Sequence, residues 1–278
     1  MITKRLALTF TLAAFAGMLP AVFAAPDRQG FSIDMKTLNE PRPLKVYVLK
    51  VDLEFPGIEI AAAIADDPDG DGPAESFLME PGALAKTAKL EIAVNAAPWS
   101  MVPATPPGEI PQYPEGGHCD ILGLAIEDGK ELSPRTPSAW SLWQDPQGLW
   151  HLGPVPDHAS PKQAVSGFGP LVSEGNLVTN QNNVLHPRTA VGIDERGKQL
   201  ILVVVDGRQP GLSEGMSEHE LAELMKSLGC WNALNLDGGG SSILIQNANH
   251  RTPKIINSPS GGKMRPVPVL IGLRSVKE

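Results

Sequence analysis

Cysteine is scarce in this chain: Cys119 and Cys230 are the only two in 278 residues, so at most one disulfide is available and a hydrophobic content of 42% must supply the core. One disulfide and two buried thiols are both open readings of that pair. The six histidines include no i, i+4 pair, and no ligand spacing joins them to the cysteines, so no catalytic metal and no cofactor are expected. A basic excess is also missing. With 23 Lys and Arg against 31 Asp and Glu, the net charge is −8, which argues against a nucleic-acid partner: a chain that tracks a phosphate backbone needs a basic stripe. No repeat array or low-complexity linker divides the chain, so one compact domain is expected over residues 25–278. The single long apolar stretch, Leu6 to Leu19, follows Lys4 and Arg5 and precedes Val22-Phe23-Ala24. That is the pattern of a signal peptide over residues 1–24, cut after Ala24, and it implies a periplasmic or secreted protein. No second run of that length follows and no cysteine stands after the cut, so neither a membrane span nor a lipid anchor is expected in the mature chain.

What is present centres on Asp237-Gly238-Gly239-Gly240-Ser241-Ser242, entered through Ala233-Leu234-Asn235-Leu236. Taken alone, three glycines mark a sharp turn after a strand. They also let main chain approach a ligand, with amides and the two serine hydroxyls converging on an anion. The neighbours favour the second reading. Ser217 with Glu220 forms a capping box for a helix that runs through Leu221, Leu224, Met225 and Leu228 and stops at Gly229. Before it, Leu200 to Val205 is a continuous apolar run of strand length that ends in Asp206-Gly207-Arg208. Two parallel strands joined by a helix would bring Asp206, Arg208 and Asp237 to one sheet edge, where open α/β sheets bind ligands. The expected fold class is therefore α/β, of mixed α+β character, with a central mixed β-sheet flanked by helices.

These segments fall in a familiar order. His186-Pro187-Arg188-Thr189-Ala190-Val191-Gly192-Ile193-Asp194, Val205-Asp206-Gly207-Arg208, Glu220-Leu221-Ala222 and Asn235-Leu236-Asp237-Gly238-Gly239-Gly240-Ser241-Ser242 resemble successive signatures of the phosphodiester glycosidase family. Val46 to Leu53, Ile92-Ala93-Val94-Asn95, Val165-Ser166-Gly167 with Pro170-Leu171-Val172, and Asn257-Ser258-Pro259-Ser260 with Arg265-Pro266-Val267 extend the likeness over nearly the whole mature chain. Two stretches depart from the family pattern. Asn95-Ala96-Ala97-Pro98-Trp99 stands where Asn-Gly-x-Phe-Phe is common, and Met264 stands where the family commonly has Glu before Arg-Pro-Val.

The resemblance implies a hydrolase that cleaves the glycosidic bond of a sugar-1-phosphodiester, with a carbohydrate or sugar phosphate as its partner and with free sugar and a phosphomonoester as products. Such a bond breaks through an oxocarbenium-like transition state, so charge must be stabilised on both sides of it. Planar guanidinium groups suit the phosphate side, a role given to Arg188 and Arg208 with the Gly238, Gly239 and Gly240 amides and Ser241 and Ser242. Asp237 is the expected catalytic carboxylate, as nucleophile or as base, with Asp206 as the second. Asn95 is expected to bond a sugar hydroxyl or N-acetyl group. Thr189 and His186 come from the upstream motif, Asn257 and Arg265 from the C-terminal one. A structural pairing of Arg188 with Asp206, and a merely positional His186 before Pro187, are the plainer readings. A non-catalytic glycan-binding or exopolysaccharide and envelope-assembly protein, or a glycosidase acting on polysaccharide without phosphate, are the alternatives of function.

Elsewhere, Asp67, Asp69 and Asp71 with Gly72 imitate the opening of a calcium loop, but Leu78 stands where the bidentate glutamate belongs, so a solvated acidic turn is expected. Lys45 to Val51, Gly57 to Ile64 and Ile92 to Val94 read as strands and Ala83 to Lys89 as a short helix. The proline-rich stretch from Pro98 to Pro114 reads as a surface excursion able to wall a site. Leu142-Trp143-Gln144 and Leu149-Trp150-His151 read as a hairpin whose tryptophans pack inward.

Overall fold

The computed structural model describes residues 30–179, 183–247 and 252–276; the expected leader, residues 1–24, lies outside them. Strands dominate. Among the described residues there are four antiparallel sheets and two α-helices, α1 (Pro81–Thr87) and α2 (Glu218–Ser227), which overturns the α/β expectation of a mixed sheet flanked by helices.

The reason lies in the run from Leu200 to Val205. Its strand, Gln199–Val205, pairs antiparallel with Leu44–Asp52 and with Arg188–Ile193 in a seven-stranded sheet. Leu200, Leu202 and Val204 face one core; Ile201, Val203 and Val205 face another beneath α2. An unbroken apolar run reports burial on both faces, and an antiparallel strand covered on both sides writes the same run as a parallel one. The inferred meeting of chain ends is nevertheless present. Arg188–Ile193 lies between Gln199–Val205 and Asn232–Asn235 and is antiparallel to each, so those two strands point the same way and finish on one rim. The connection between them is α2. Its capping box is complete, with the Glu220 N–H donating to Ser217 Oγ at 3.2 Å and the Ser217 N–H donating to Glu220 Oε2 at 2.9 Å. Leu221, Ala222, Leu224 and Met225 are buried, and the chain turns away through Gly229 at φ +94°.

The other face of the seven-stranded sheet packs on two five-stranded sheets through a core that includes Leu49, Leu142, Val165, Leu202, Leu234, Ile271 and Leu273. One of those sheets has the order Lys254–Ile255, Leu244–Gln246, Ile92–Asn95, Val269–Ser275, Ile58–Ile64. Its outer face carries Ala61, Ala63 and Ala93, small enough for α1 to lie close against them. In the other sheet, Trp140–Gln144 and Trp150–Pro154 form the expected hairpin, with Trp143 and Trp150 buried. A small third unit pairs Trp99–Met101 and Ser76–Phe77 with His118–Ile121.

Cys119 and Cys230 are separate buried free thiols, each pushed up to about 12 mainly by burial. The acidic stretch is a self-capped turn in which Asp67 Oδ1 accepts the Asp69 and Gly70 N–H groups at 3.0 and 2.8 Å. Among the described residues no helix is long and apolar enough to cross a membrane.

Candidate active site

The rim where Gln199–Val205 and Asn232–Asn235 both end carries Asp206, Arg208 and Asp237. Asp237 opens the turn by which the chain leaves the seven-stranded sheet and enters the Ile92–Asn95 sheet. The turn is pinned on both sides: the Leu236 N–H donates to the Thr189 carbonyl, the Asp237 N–H to the Ala96 carbonyl and the Gly239 N–H to the Pro187 carbonyl, each at 2.9 Å. Gly239–Ser241 then forms a single 3-10 turn. Gly238 is required by close approach, since a Cβ there would sit 2.9 Å from the Pro187 carbonyl oxygen, and Gly239 is required by its φ of +61°.

The glycines contribute bare surface more than amides. The Gly238 N–H donates to Asp237 Oδ1 at 2.9 Å and the Gly239 N–H is spent on Pro187, so two of the three amides assigned to an anion are already bonded within the protein. Two guanidinium groups instead occupy the space where side chains would be. Arg208 Nη2 lies 3.2 Å from the Cβ position of Gly239, and Arg265 Nη2 lies 2.1 Å from that of Gly240. Two cavities open beside this pair. One, of about 330 Å³, is lined by Trp99, Met101, Thr105, Tyr113, Asp237 and Arg265; the other, of about 660 Å³, is lined by Glu80, Tyr113, Arg208, Gly240, Lys263 and Arg265 among others. Tyr113 and Arg265 border both and form the partition.

Asp237 is half-buried, with its carboxyl set deep beside the smaller cavity. Burial pushes it up to about 6, against the opposing pull of the Ser241 hydroxyl, the Gly238 amide, Arg265 and the Trp99 indole. Ser241 Oγ and Trp99 Nε1 act on it from nearby without hydrogen-bond geometry, and Ser242 Oγ is likewise buried with no partner. The result is a carboxylate close to neutral-pH titration facing a cavity and flanked by a cation.

Other residues named from the sequence sit behind this surface. Asp206 is 1% exposed; its oxygens accept from Asn257 Nδ2 at 2.9 Å, Tyr47 Oη at 3.2 Å and the Ser258 N–H at 3.0 Å. Both oxygens are held by protein donors and Asp206 lines neither cavity, so the structure sets it behind the place expected of a second catalytic carboxylate. Burial raises its pKa in spite of those donors. Asn95, 1% exposed, donates from Nδ2 to the Asp237 carbonyl and accepts at Oδ1 from Thr189 Oγ1 at 2.8 Å and the Ile243 N–H at 3.1 Å. It clamps the turn and lines neither cavity. Thr189 serves the same clamp. Arg188 is buried and points away from the cavities, with Nε on the Met216 carbonyl at 3.0 Å and Nη1 on Glu218 at 3.3 Å; its ion-pair partner is Glu218 and not Asp206. Asn257 joins Asp206 Oδ1, the Ser242 carbonyl and the Leu244 N–H. His186 Nδ1 lies 3.1 Å from Arg208 Nη2 and accepts from it, so the ring is neutral; burial, then Arg208 and Arg188, depress its pKa.

Tyr113, which no sequence motif marks, stands with Arg265 between the two cavities. The ring of Tyr113 lies 4.3 Å from the Arg265 guanidinium carbon and meets Trp99 edge-on at 5.2 Å. The one available signal was its place in the proline-rich stretch after Trp99, a stretch that does wall both cavities through Pro111 and Tyr113.

A family model described as phosphodiester glycosidase matches residues 88–274. The N-acetylglucosamine-1-phosphodiester alpha-N-acetylglucosaminidase of Bos taurus is 31% identical over 162 residues, covering 48% of this chain and 29% of that protein. The Homo sapiens protein of the same name is 42% identical over 103 residues, covering 31% of this chain and 19% of its own length. The chain thus spans less than a third of these relatives. In fold, it is similar to the zebrafish N-acetylglucosamine-1-phosphodiester alpha-N-acetylglucosaminidase catalytic domain, solved auto-inhibited by its pro-peptide, with a TM-score of 0.64 and 21% identity over 88% of this chain and 82% of that one. With a model match over most of its length and the glycine turn, its carboxylate and its arginines inside that match, the chain belongs to the phosphodiester glycosidase family.

Proposed function

We propose that the protein hydrolyses the glycosidic bond of a sugar-1-phosphodiester. The observation that carries this reading is the juxtaposition of Asp237, with a pKa of about 6, and the Arg208 and Arg265 guanidinium groups laid on the bare Gly239–Gly240 backbone. The arginines hold the phosphate and stabilise the negative charge that grows on its bridging oxygen as the C1–O bond breaks. A phosphomonoester is a good leaving group without prior protonation, which fits a smaller cavity lined by one carboxylate, Asp237. That carboxylate meets the positive charge growing at the anomeric carbon. Water supplies the oxygen that ends on C1, its proton passing to Asp237 and then to solvent, while the C1–O electron pair leaves with the phosphate. The smaller cavity would take the sugar and the larger one the esterified alcohol.

Arg188, Asp206, Asn95, Thr189 and Asn257 hold this arrangement from behind. The leader pattern of residues 1–24 supports export to the periplasm or beyond; amino-terminal sequencing of the exported protein would then begin at Ala25.

The test is hydrolysis of synthetic sugar-1-phosphodiesters and of matched neutral glycosides in water enriched in oxygen-18. Label in the released sugar, together with loss of turnover in Asp237→Asn, is the expected result. Label in the phosphate, cleavage of neutral glycosides alone, or tight binding without turnover would each overturn it.

A further inference from the structure

We propose that Tyr113 is a positioning residue that fixes the Arg265 guanidinium over Gly240 and thereby sets the anion grip of the site. This rests on the functional reading above for its kinetic part and stands without it for its binding part.

Among the described residues Arg265 makes no side-chain hydrogen bond and no ion pair. Arg208 is different, because His186 holds it at 3.1 Å. Arg265 is confined by contacts of another kind: the bare Gly240 main chain on one side and the Tyr113 ring face, 4.3 Å from its Cζ, on the other. A guanidinium over an aromatic face is attracted by the ring quadrupole, and the stacking leaves its N–H edge free for a ligand. The ring is itself fixed, since Trp99 meets it edge-on at an interplanar angle of 89°. Trp99, Tyr113, Arg265 and Gly240 therefore form one stack, and its last members sit beside Asp237. Because Arg265 lowers the Asp237 pKa against the effect of burial, a guanidinium released to swing into solvent would leave that pKa higher.

Replacing Tyr113 by Leu removes the ring face while keeping apolar bulk; Tyr113→Met is a second variant of the same intent should the first fold poorly. Tyr113→Phe keeps the face and loses only the hydroxyl. Two readouts are used on the full chain. Inorganic phosphate binding, followed by calorimetry, is expected to weaken roughly five- to twenty-fold in Leu or Met and to be restored in Phe. The kcat/KM profile for a sugar-1-phosphodiester is expected to fall by a similar factor in Leu, with its acid limb displaced to higher pH, and to return to the parental position in Phe. Equal phosphate affinity in the Leu and parental proteins would overturn the proposal, as would a Phe variant as impaired as Leu. If the parental protein turns over no phosphodiester, the functional reading fails while the phosphate arm still decides the role of Tyr113.

Discussion

At the scale of single residues, the site separates two aspartates that look alike in the sequence. Asp237 must be ionised to stabilise a cation or activate water, so kcat/KM should fall as pH drops through about 6. The stability consequence has the opposite sense. Its folded pKa lies above the ordinary value of 3.8, so the native state binds the proton more tightly than the unfolded chain does. Ionising the carboxylate therefore destabilises the fold, by nothing at pH 3 and by the full amount above about pH 6. Asp237→Asn should abolish most turnover, on the order of 10²- to 10⁴-fold. At pH 8 it should raise stability by on the order of 1–3 kcal/mol, a gain that shrinks toward pH 4, as urea unfolding at the two pH values would show. Asp206→Asn should behave otherwise. An amide there can keep its oxygen on the Asn257 Nδ2 and Ser258 N–H donors and turn its NH2 to the Tyr47 hydroxyl, which can accept, so stability at pH 7 should change by less than about 1 kcal/mol. Asp237 was legible because a carboxylate followed by three glycines has few structural uses. The inward turn of Asp206, Asn95 and Arg188 was not, because their partners, Ser258, Ile243 and Met216, come from segments whose packing leaves no pattern at those positions.

At the scale of elements, the glycine turn makes a sharper prediction. Gly240→Ala places a methyl where the Arg265 tip now lies, but the obstacle is the far end of a flexible side chain and the backbone there is not left-handed. The fold should lose no more than about 0.5 kcal/mol, whereas activity should drop on the order of ten- to hundred-fold as the guanidinium is displaced; thermal melts and steady-state kinetics on one preparation would read both. The helix α2 was readable almost to the residue, because a capping box at Ser217 and a left-handed Gly229 are local facts of sequence. Strand direction was not. Two faces of the Gln199–Val205 strand are covered, one by α2 and one by the neighbouring sheets, and composition records the covering without recording which way the neighbours run. The placement of Asp206 and Asp237 on one rim survived that error, since alternate strands of an antiparallel sheet point the same way.

At the scale of the whole molecule, one core joins the seven-stranded sheet to both five-stranded ones, so they should unfold together. Leu202→Ala, at a fully buried position in that core, should cost roughly 2–5 kcal/mol and shift far-ultraviolet dichroism and tryptophan fluorescence by the same amount in a single coincident transition. Separate transitions for the two probes would show that the sheets are independent.

The strand Val269–Ser275, which follows Arg265 by only a few residues, is wedged between Ile58–Ile64 and Ile92–Asn95. It sits in the middle of a sheet whose flanking members are synthesised much earlier, so that sheet cannot close until this strand has been made. A nascent chain halted before Val269 would hold two bare strand edges apart and leave Arg265 untethered. The proposed hydrolysis would therefore wait on synthesis of Val269–Ser275, a dependence of timing that follows from the order of the strands in this sheet.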